Sequence, residues 1–276
     1  MADHRAGPQP AEGTLRVALV QQASDLDPAE NRAFLDDLAV EADLVVLPEA
    51  FARDFGSPGE DISAWAEPQD GPFDVALRRF AGSTRTVVAG MFEVSDDPDR
   101  PWNTLLVRGA AEAAYRKIHL YDSFGYRESD RLSAGEWDPV LVEVGGFGVG
   151  LLTCYDLRFP ELARDLVERG ADLLVVPAAW VPGRTEEEHR RKIDHWTTLA
   201  RARAIENTTY VAAVGQAAPR YTGHSIVVDP LGEVLAEADG EPTVLTATLD
   251  ADVIAQARAV NPSLANRRDQ QRQGAR

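Results

Sequence analysis

A single cysteine, Cys154, occurs in 276 residues. It lies in LLTCYDLRFPEL, Leu151 to Leu162, where an apolar run gives way to a segment with helical signals. The free N–H groups at a helix start carry partial positive charge, which would favour a thiolate and lower the thiol pKa. The same residue would be equally at home as a small buried apolar side chain. As a nucleophile it would need a base and a partner for the oxyanion. His4 lies in the N-terminal stretch and His189 in the charge run EEEHRRK. His119, His195 and His224 remain candidate bases, and no sequence context singles one out. Glu49 follows LVVLP directly, a charge at the end of an apolar strand and so a candidate buried base. Lys117, in YRKIHLYD, is either a surface charge or a cation aimed at the same chemistry.

These side chains need elements to carry them. Leu15–Gln21, Leu44–Leu47, Thr86–Phe92 and Asn103–Arg108 have the length and β-branched content of buried strands. Asp27-Pro28 reads as an N-cap followed by proline at the first helical position, and Asp74–Phe80 reads as a second helix. In the second half, Gly148–Thr153, Leu173–Val176, Tyr210–Val214, Ser225–Val228 and Val244–Leu249 read as strands. Phe159–Arg169 reads as a helix stopped by Gly170. A longer helix is predicted from about His195 to Glu206, with Leu199, Ala202 and Ile205 on one face. Pro230-Leu231-Gly232 predicts a hairpin turn.

A weak repeat links the halves. VALVQQ from Val17 matches VGLLTC from Val149, and ADLVVLPEAF from Ala42 matches ADLLVVPAAW from Ala171. Two matches in the same order suggest one strand–helix–strand unit used twice. The expected fold is therefore α/β, with two facing sheets and helices outside. A single domain over residues 14–268 is expected. Residues 1–13 are expected to be disordered and 269–276 to form a C-terminal tail.

Composition narrows the function. A formal net charge of −17 argues against nucleic acid, whose phosphates require a basic footprint. No segment approaches membrane-span length. The opening MADHRAGPQPAEGT has no apolar run of the kind a secretory signal needs, and one cysteine allows no intramolecular disulfide. A cytoplasmic location is expected. GGFGVG (Gly145–Gly150) precedes its strand and breaks dinucleotide-loop spacing. There is no Walker A loop or HExxH sequence.

LPEAF, YRKIHLYD and CYDLRFPEL together resemble the three signature segments of the nitrilase-like carbon–nitrogen hydrolases, in the same chain order. The resemblance runs from about Leu15 to Arg268 and includes SFGYRES, ARARAIEN and TGHSIVVDPLGEVL. It implies an α-β-β-α sandwich and catalytic roles for Glu49, Lys117 and Cys154, with Glu128 as a second glutamate. Glu49 would serve as base, and Lys117 with the Tyr155 backbone N–H would hold the oxyanion. A thioester would form and then be hydrolysed, and no step of this implied chemistry needs a metal or organic cofactor.

The residues after the cysteine resemble the amidase branch related to deaminated glutathione amidase and omega-amidase. True nitrilases usually carry a tryptophan–glutamate pair where this chain has Tyr155-Asp156. The implied reaction is hydrolysis of a small primary amide to carboxylate and ammonia. Candidate substrate-binding residues are Tyr121, Arg158 and Trp180. Arg184 and Arg191 lie in PGRTEEEHRRKID, where the chain departs from the family pattern; this segment is expected to be a loop beside the pocket. Arg158, Arg184 and Arg191 are each either a group that binds a substrate carboxylate or a surface charge or structural ion-pair partner. Two other readings stand beside this one: a non-catalytic ligand-binding member of the fold, and a redox-sensing cysteine. The resemblance further implies a homodimer or larger homo-oligomer.

Overall fold

Strands buried on both faces organise the chain. The computed structural model describes residues 11–268. In the first half, β1 (Thr14–Gln21) leads through α1 (Pro28–Asp37) to β2 (Leu44–Val46), and α2 (Pro72–Ala81) to β3 (Thr86–Glu93). Then come β4 (Trp102–Gly109), β5 (Ala113–Arg116) and a small hairpin of β6 (Asp122–Ser123) and β7 (Tyr126–Arg127). The second half runs β8 (Leu141–Val144), β9 (Phe147–Leu151), α3 (Pro160–Glu168), β10 (Leu173–Ala178), α4 (Glu186–Asn207), β11 (Tyr210–Gly215), β12 (Ile226–Val228) and β13 (Val234–Glu237). It closes with β14 (Thr243–Asp250), which crosses back to the first sheet, and α5 (Ala251–Val260).

Two six-stranded sheets result, ordered β14-β1-β2-β3-β4-β5 and β8-β9-β10-β11-β12-β13. The repeat extends over both. Within each sheet a parallel core of three strands has an antiparallel edge strand on one side and two antiparallel strands on the other. Val17 pairs with Leu44 in one half as Val149 pairs with Leu173 in the other, which is the register the two sequence matches imply.

Alternation along each strand divides the core into layers. On β2, Leu44 and Val46 face the inter-sheet core with Leu19, Val88, Leu151 and Val175. Val45 and Leu47 face outward, under α1 and α2 with Leu35, Phe73 and Leu77. A matching outer layer under α3 and α4 joins Leu162, Leu166, Trp196 and Ala200. The fold is thus the expected α-β-β-α sandwich.

Several details differ from expectation. α4 starts at Glu186, well before His195, so most of the expected loop is helix. Its buried face is Trp196, Ala200, Arg203, Ala204 and Asn207, and Ile205 is exposed. The early turns carry no apolar stripe, so periodicity could not reveal them. A capping signal does exist: Thr185 Oγ1 accepts from Glu188 N at 3.2 Å. α3 spends its apolar face on the chain's own core. The expected disorder of 1–13 and the tail at 269–276 fall largely outside the described residues. Ala11 packs against the inter-sheet core, and Gly13 O accepts from Ala251 N at 3.0 Å. Farther along, Leu264 packs against the outer layer under α3 and α4.

Candidate active site

The strand ends of both sheets meet in a cleft of about 940 Å³ that contains Glu49, Lys117, Glu128 and Cys154. Glu49 stands just past β2. The next residue, Ala50, has φ +54°, an uncommon conformation for a residue with a side chain, of the kind that clusters at functional sites. β3 must approach this turn closely, and Gly90 permits it: a Cβ there would sit 2.4 Å from Ala50 N. Cys154 stands just past β9, at φ +47°, and opens a short 3-10 turn over Cys154–Arg158. The N–H of Tyr155 stands at the start of this turn, where helical turns have unpaired donors.

Lys117 follows β5 and is buried, as are both its partners. Its Nζ donates to Glu49 Oε1 at 2.9 Å and to Glu128 Oε2 and Oε1 at 2.8 and 3.0 Å. Burial opposes its charge, but Glu128 and Glu49 together hold its pKa well above the ordinary lysine range. For Glu128, burial and then the neighbouring Glu49 outweigh Lys117, so its carboxyl is raised. Two carboxylates around one ammonium leave one negative charge over, which favours retaining a proton at this site.

The supporting shell was not visible in the sequence. Asn103 Nδ2 donates to Glu49 Oε1 at 2.7 Å, and Ala179 N donates to Oε2 at 2.7 Å. Gln216 Nε2 donates to the Glu49 carbonyl at 2.8 Å. Asp156 is fully buried and ties the Cys154 turn to the segment bearing Lys117. It accepts from Tyr115 Oη at 2.6 Å, from Thr153 N at 2.9 Å and from His119 N at 3.0 Å. A carboxylate two residues after a cysteine was the available signal, readable as part of a capped turn.

The expected low thiol pKa is not what the site provides. Burial, followed by the negative charge of Glu49, pushes the Cys154 thiol well above its ordinary value; Lys117 pulls the other way but does not win. A five-residue 3-10 turn offers little dipole against full burial beside carboxylates. Thiolate formation is therefore tied to a proton acceptor. The candidate histidines differ in placement. His119 Nδ1 lies 2.7 Å from Asp156 Oδ1, and its ring stacks on Phe159 at 3.6 Å between centroids. His224 is not among the residues that line the cleft, and His195 is.

Tyr121 and Trp180 line the cleft, and Arg158 is not among the lining residues. Its guanidinium carbon lies 5.0 Å from the centroid of the Trp180 ring, with Nη2 3.5 Å from His195 Nδ1. Arg184 and Arg191 do line it, joined by Lys192, Arg220 and Tyr221, which sequence reasoning passed over. Among the described residues no group of three or more His, Cys, Asp or Glu side chains could hold a metal ion, and no helix is long and apolar enough to cross a membrane.

The carbon–nitrogen hydrolase family profile matches residues 16–259. Deaminated glutathione amidase of Escherichia coli O157:H7 is 41% identical over 228 residues, covering 82% of this chain and 84% of its own. A crystal structure from Xanthomonas campestris, described as a CN-hydrolase superfamily protein with an arsenic adduct in the active site, superposes with a TM-score of 0.79. It is 34% identical, with 92% of this chain and 97% of that one covered. A variant of the amidase from Nesterenkonia sp. AN1 was solved with the acetamide moiety of fluoroacetamide added covalently at its active-site cysteine. It has a TM-score of 0.73 at 28% identity, with 98% of this chain and 99% of that one covered.

Proposed function

The chain belongs to the carbon–nitrogen hydrolase family, and from that premise we propose that it is a cysteine amidase of the deaminated glutathione amidase type, acting through a thioester on Cys154. The observation that carries the reading is Lys117 Nζ bridging Glu49 and Glu128 on the floor of the cleft that holds the only cysteine.

The raised thiol requires that proton loss and attack go together. Glu49 accepts the Cys154 proton as sulfur bonds to the amide carbon. The oxyanion is held by Lys117 Nζ and the Tyr155 N–H. The tetrahedral adduct collapses, and Glu49 returns the proton to the departing nitrogen. Glu49 then takes a proton from water, which attacks the thioester; the carbon–sulfur bond breaks, the acid is released, and Glu49 returns the proton to the Cys154 sulfur. Asn103 and Lys117 fix Glu49 Oε1, and the Ala179 N–H fixes Oε2, which keeps a lone pair for this traffic. Glu128 keeps Lys117 in place by accepting from its Nζ.

The leaving group decides the assay. A primary amide releases ammonia. Deaminated glutathione contains only secondary amides, so its hydrolysis releases an amine. Acid, amine and ammonia should therefore be followed together for deaminated glutathione, alpha-ketoglutaramate, a simple aliphatic amide and the matching nitrile. Turnover of an amide by the wild type, lost in Cys154→Ala, is expected. Turnover that survives Cys154→Ala would overturn the proposal.

The proposal includes a cytoplasmic site of action, where a reducing pool keeps the thiol reduced, and a homodimer or larger assembly. Exposed Leu231, Val234, Leu235 and Val244 near the β13 and β14 edges support an interface. Sedimentation as a monomer at micromolar concentration would remove that part.

A further inference from the structure

The two donors assigned to the oxyanion come from different sheets. Lys117 follows β5, an edge strand of the first sheet, and the Tyr155 N–H follows β9 of the second. Each is fixed within its own half. Lys117 N donates to Asn103 O, and Gly135 N donates to Lys117 O, both at 2.8 Å. Arg203 Nε, on α4, donates to Leu157 O in the cysteine turn at 3.0 Å. Neither anchor sets one donor against the other. A tetrahedral adduct needs both at once, placed to within about 0.5 Å.

Among the described residues, the hydrogen bonds that join the Cys154–Arg158 turn to the Lys117 segment all end on Asp156. Their donors flank Lys117 on both sides, at Tyr115 and His119. Oδ2 accepts from Tyr115 Oη at 2.6 Å and from Thr153 N at 2.9 Å. Oδ1 faces His119 twice, with N at 3.0 Å and Nδ1 at 2.7 Å. A lone pair on Nδ1 would confront a carboxylate oxygen at that distance, so Nδ1 carries the proton and the tautomer is fixed. Burial, and then Asp156, hold the Tyr115 phenol well above its ordinary range, so it too remains a donor. The imidazole also lies flat on Phe159, just past the turn, with 3.6 Å between centroids and 6° between planes. His119 thus holds the turn within its first residues through Asp156 and at its far end through Phe159. It is not among the residues that line the cleft, and the proposed steps do not use it. Asp156 is fully buried, and His119 is its ion-pair partner among the described residues.

We propose that Asp156 and His119 are a positioning pair that holds Lys117 and the Tyr155 N–H in register across the two sheets. The proposal rests on the amidase reading above. The pair acts through the donors that meet the oxyanion, because a fully paired buried network rigidifies what it joins.

His119→Leu removes the Nδ1 donor and leaves Lys117, Glu49 and Cys154 in the chain. On any amide that is turned over, kcat should fall about 10²-fold with KM little changed. His119→Asn puts an amide N–H where the Nδ1–H stood and should restore most of kcat. Equal losses of kcat in the two variants overturn the inference.

An assay without turnover separates placement of the donors from reactivity of the sulfur. Iodoacetamide alkylates the sulfur by displacement and forms no oxyanion. Propanal adds to the same thiol: sulfur bonds to the carbonyl carbon, and the thiol proton ends on the carbonyl oxygen, which lies where the oxyanion would. Protection of Cys154 from alkylation by propanal therefore reports the two donors. In His119→Leu the alkylation rate without propanal should stay within about twofold of wild type, and the propanal concentration that gives half protection should rise about tenfold. Half protection at an unchanged concentration, an alkylation rate that changes in step with it, or no protection of the wild type overturns the inference. The expected shift in a protein that hydrolyses no amide leaves the positioning pair standing, and only the amidase reading falls.

Discussion

The two βαβ halves have matching strand order and register yet end differently. In the aligned matches, Gln22 of the first half corresponds to Cys154 of the second, and Glu49 corresponds to Ala178. The first half therefore carries a charged base just past β2, and the second ends β10 in a fully buried alanine. Conversely, neutral Gln21 and Gln22 stand at the end of β1, and the nucleophile stands just past β9. Gln21 is used to join the sheets: its Oε1 accepts from Ser225 N at 2.8 Å and Ser225 Oγ at 2.7 Å. Ala178 is followed by Ala179, whose N–H holds the base supplied by the other half. A glutamate in place of Ala178 would bury a carboxylate in the apolar layer under α3 and α4, a position that is costly for a charge without a cation to pair with it. Doubling a scaffold does not double the site, because one buried enclosure tolerates only the charges it can pair.

The sharpest way to break this asymmetry is to neutralise the charged end. Glu49→Gln removes the proton acceptor that a raised thiol requires and should lower kcat by about 10²–10⁴-fold, measured on whichever amide is turned over. An unchanged kcat would remove Glu49 from the chemistry. Lys117→Met leaves Glu49 and Glu128 facing each other without a cation. Equilibrium urea unfolding should show a loss of about 3–5 kcal/mol, and a loss within 1 kcal/mol would mean the pair is far less coupled than its distances indicate.

The nucleophile end can be probed by pH. Because burial and Glu49 raise the thiol, Cys154 is protonated through neutrality. Its alkylation by iodoacetamide should climb about tenfold per pH unit into the basic range without levelling near neutrality. A plateau below pH 7 would show a lowered thiol instead. The smallest effect belongs to the α4 rim. Thr185→Ala removes a helix cap and should cost about 1 kcal/mol. It should appear as faster amide exchange confined to the first turns of α4, and uniform protection there would show that the cap contributes nothing.

Much of this was legible in the sequence because it is local. Strands buried on both faces announce themselves as short β-branched runs, and the repeat in VALVQQ and ADLVVLPEAF survives in the register of β1 with β2 and β9 with β10. Glu49, Lys117 and Cys154 could be named because each closes or follows such a run and because three motifs in order resemble one family. The sequence by itself thus determined the layers, the strand ends and the reactive residue types.

Tertiary structure decided how those residues behave. Glu49 is held by an amide 130 positions away, at Ala179. The thiol rises because opposite sheets bring it into burial beside a carboxylate, an effect that outweighs the local turn which suggested the reverse. The polar first turns of α4 form a cleft wall because Lys192 meets Tyr121 across 71 positions. Periodicity and propensity report what a segment prefers within a few residues. A pKa, a donor pair or a subsite depends on charges and burial supplied by distant segments, and only packing brings them together.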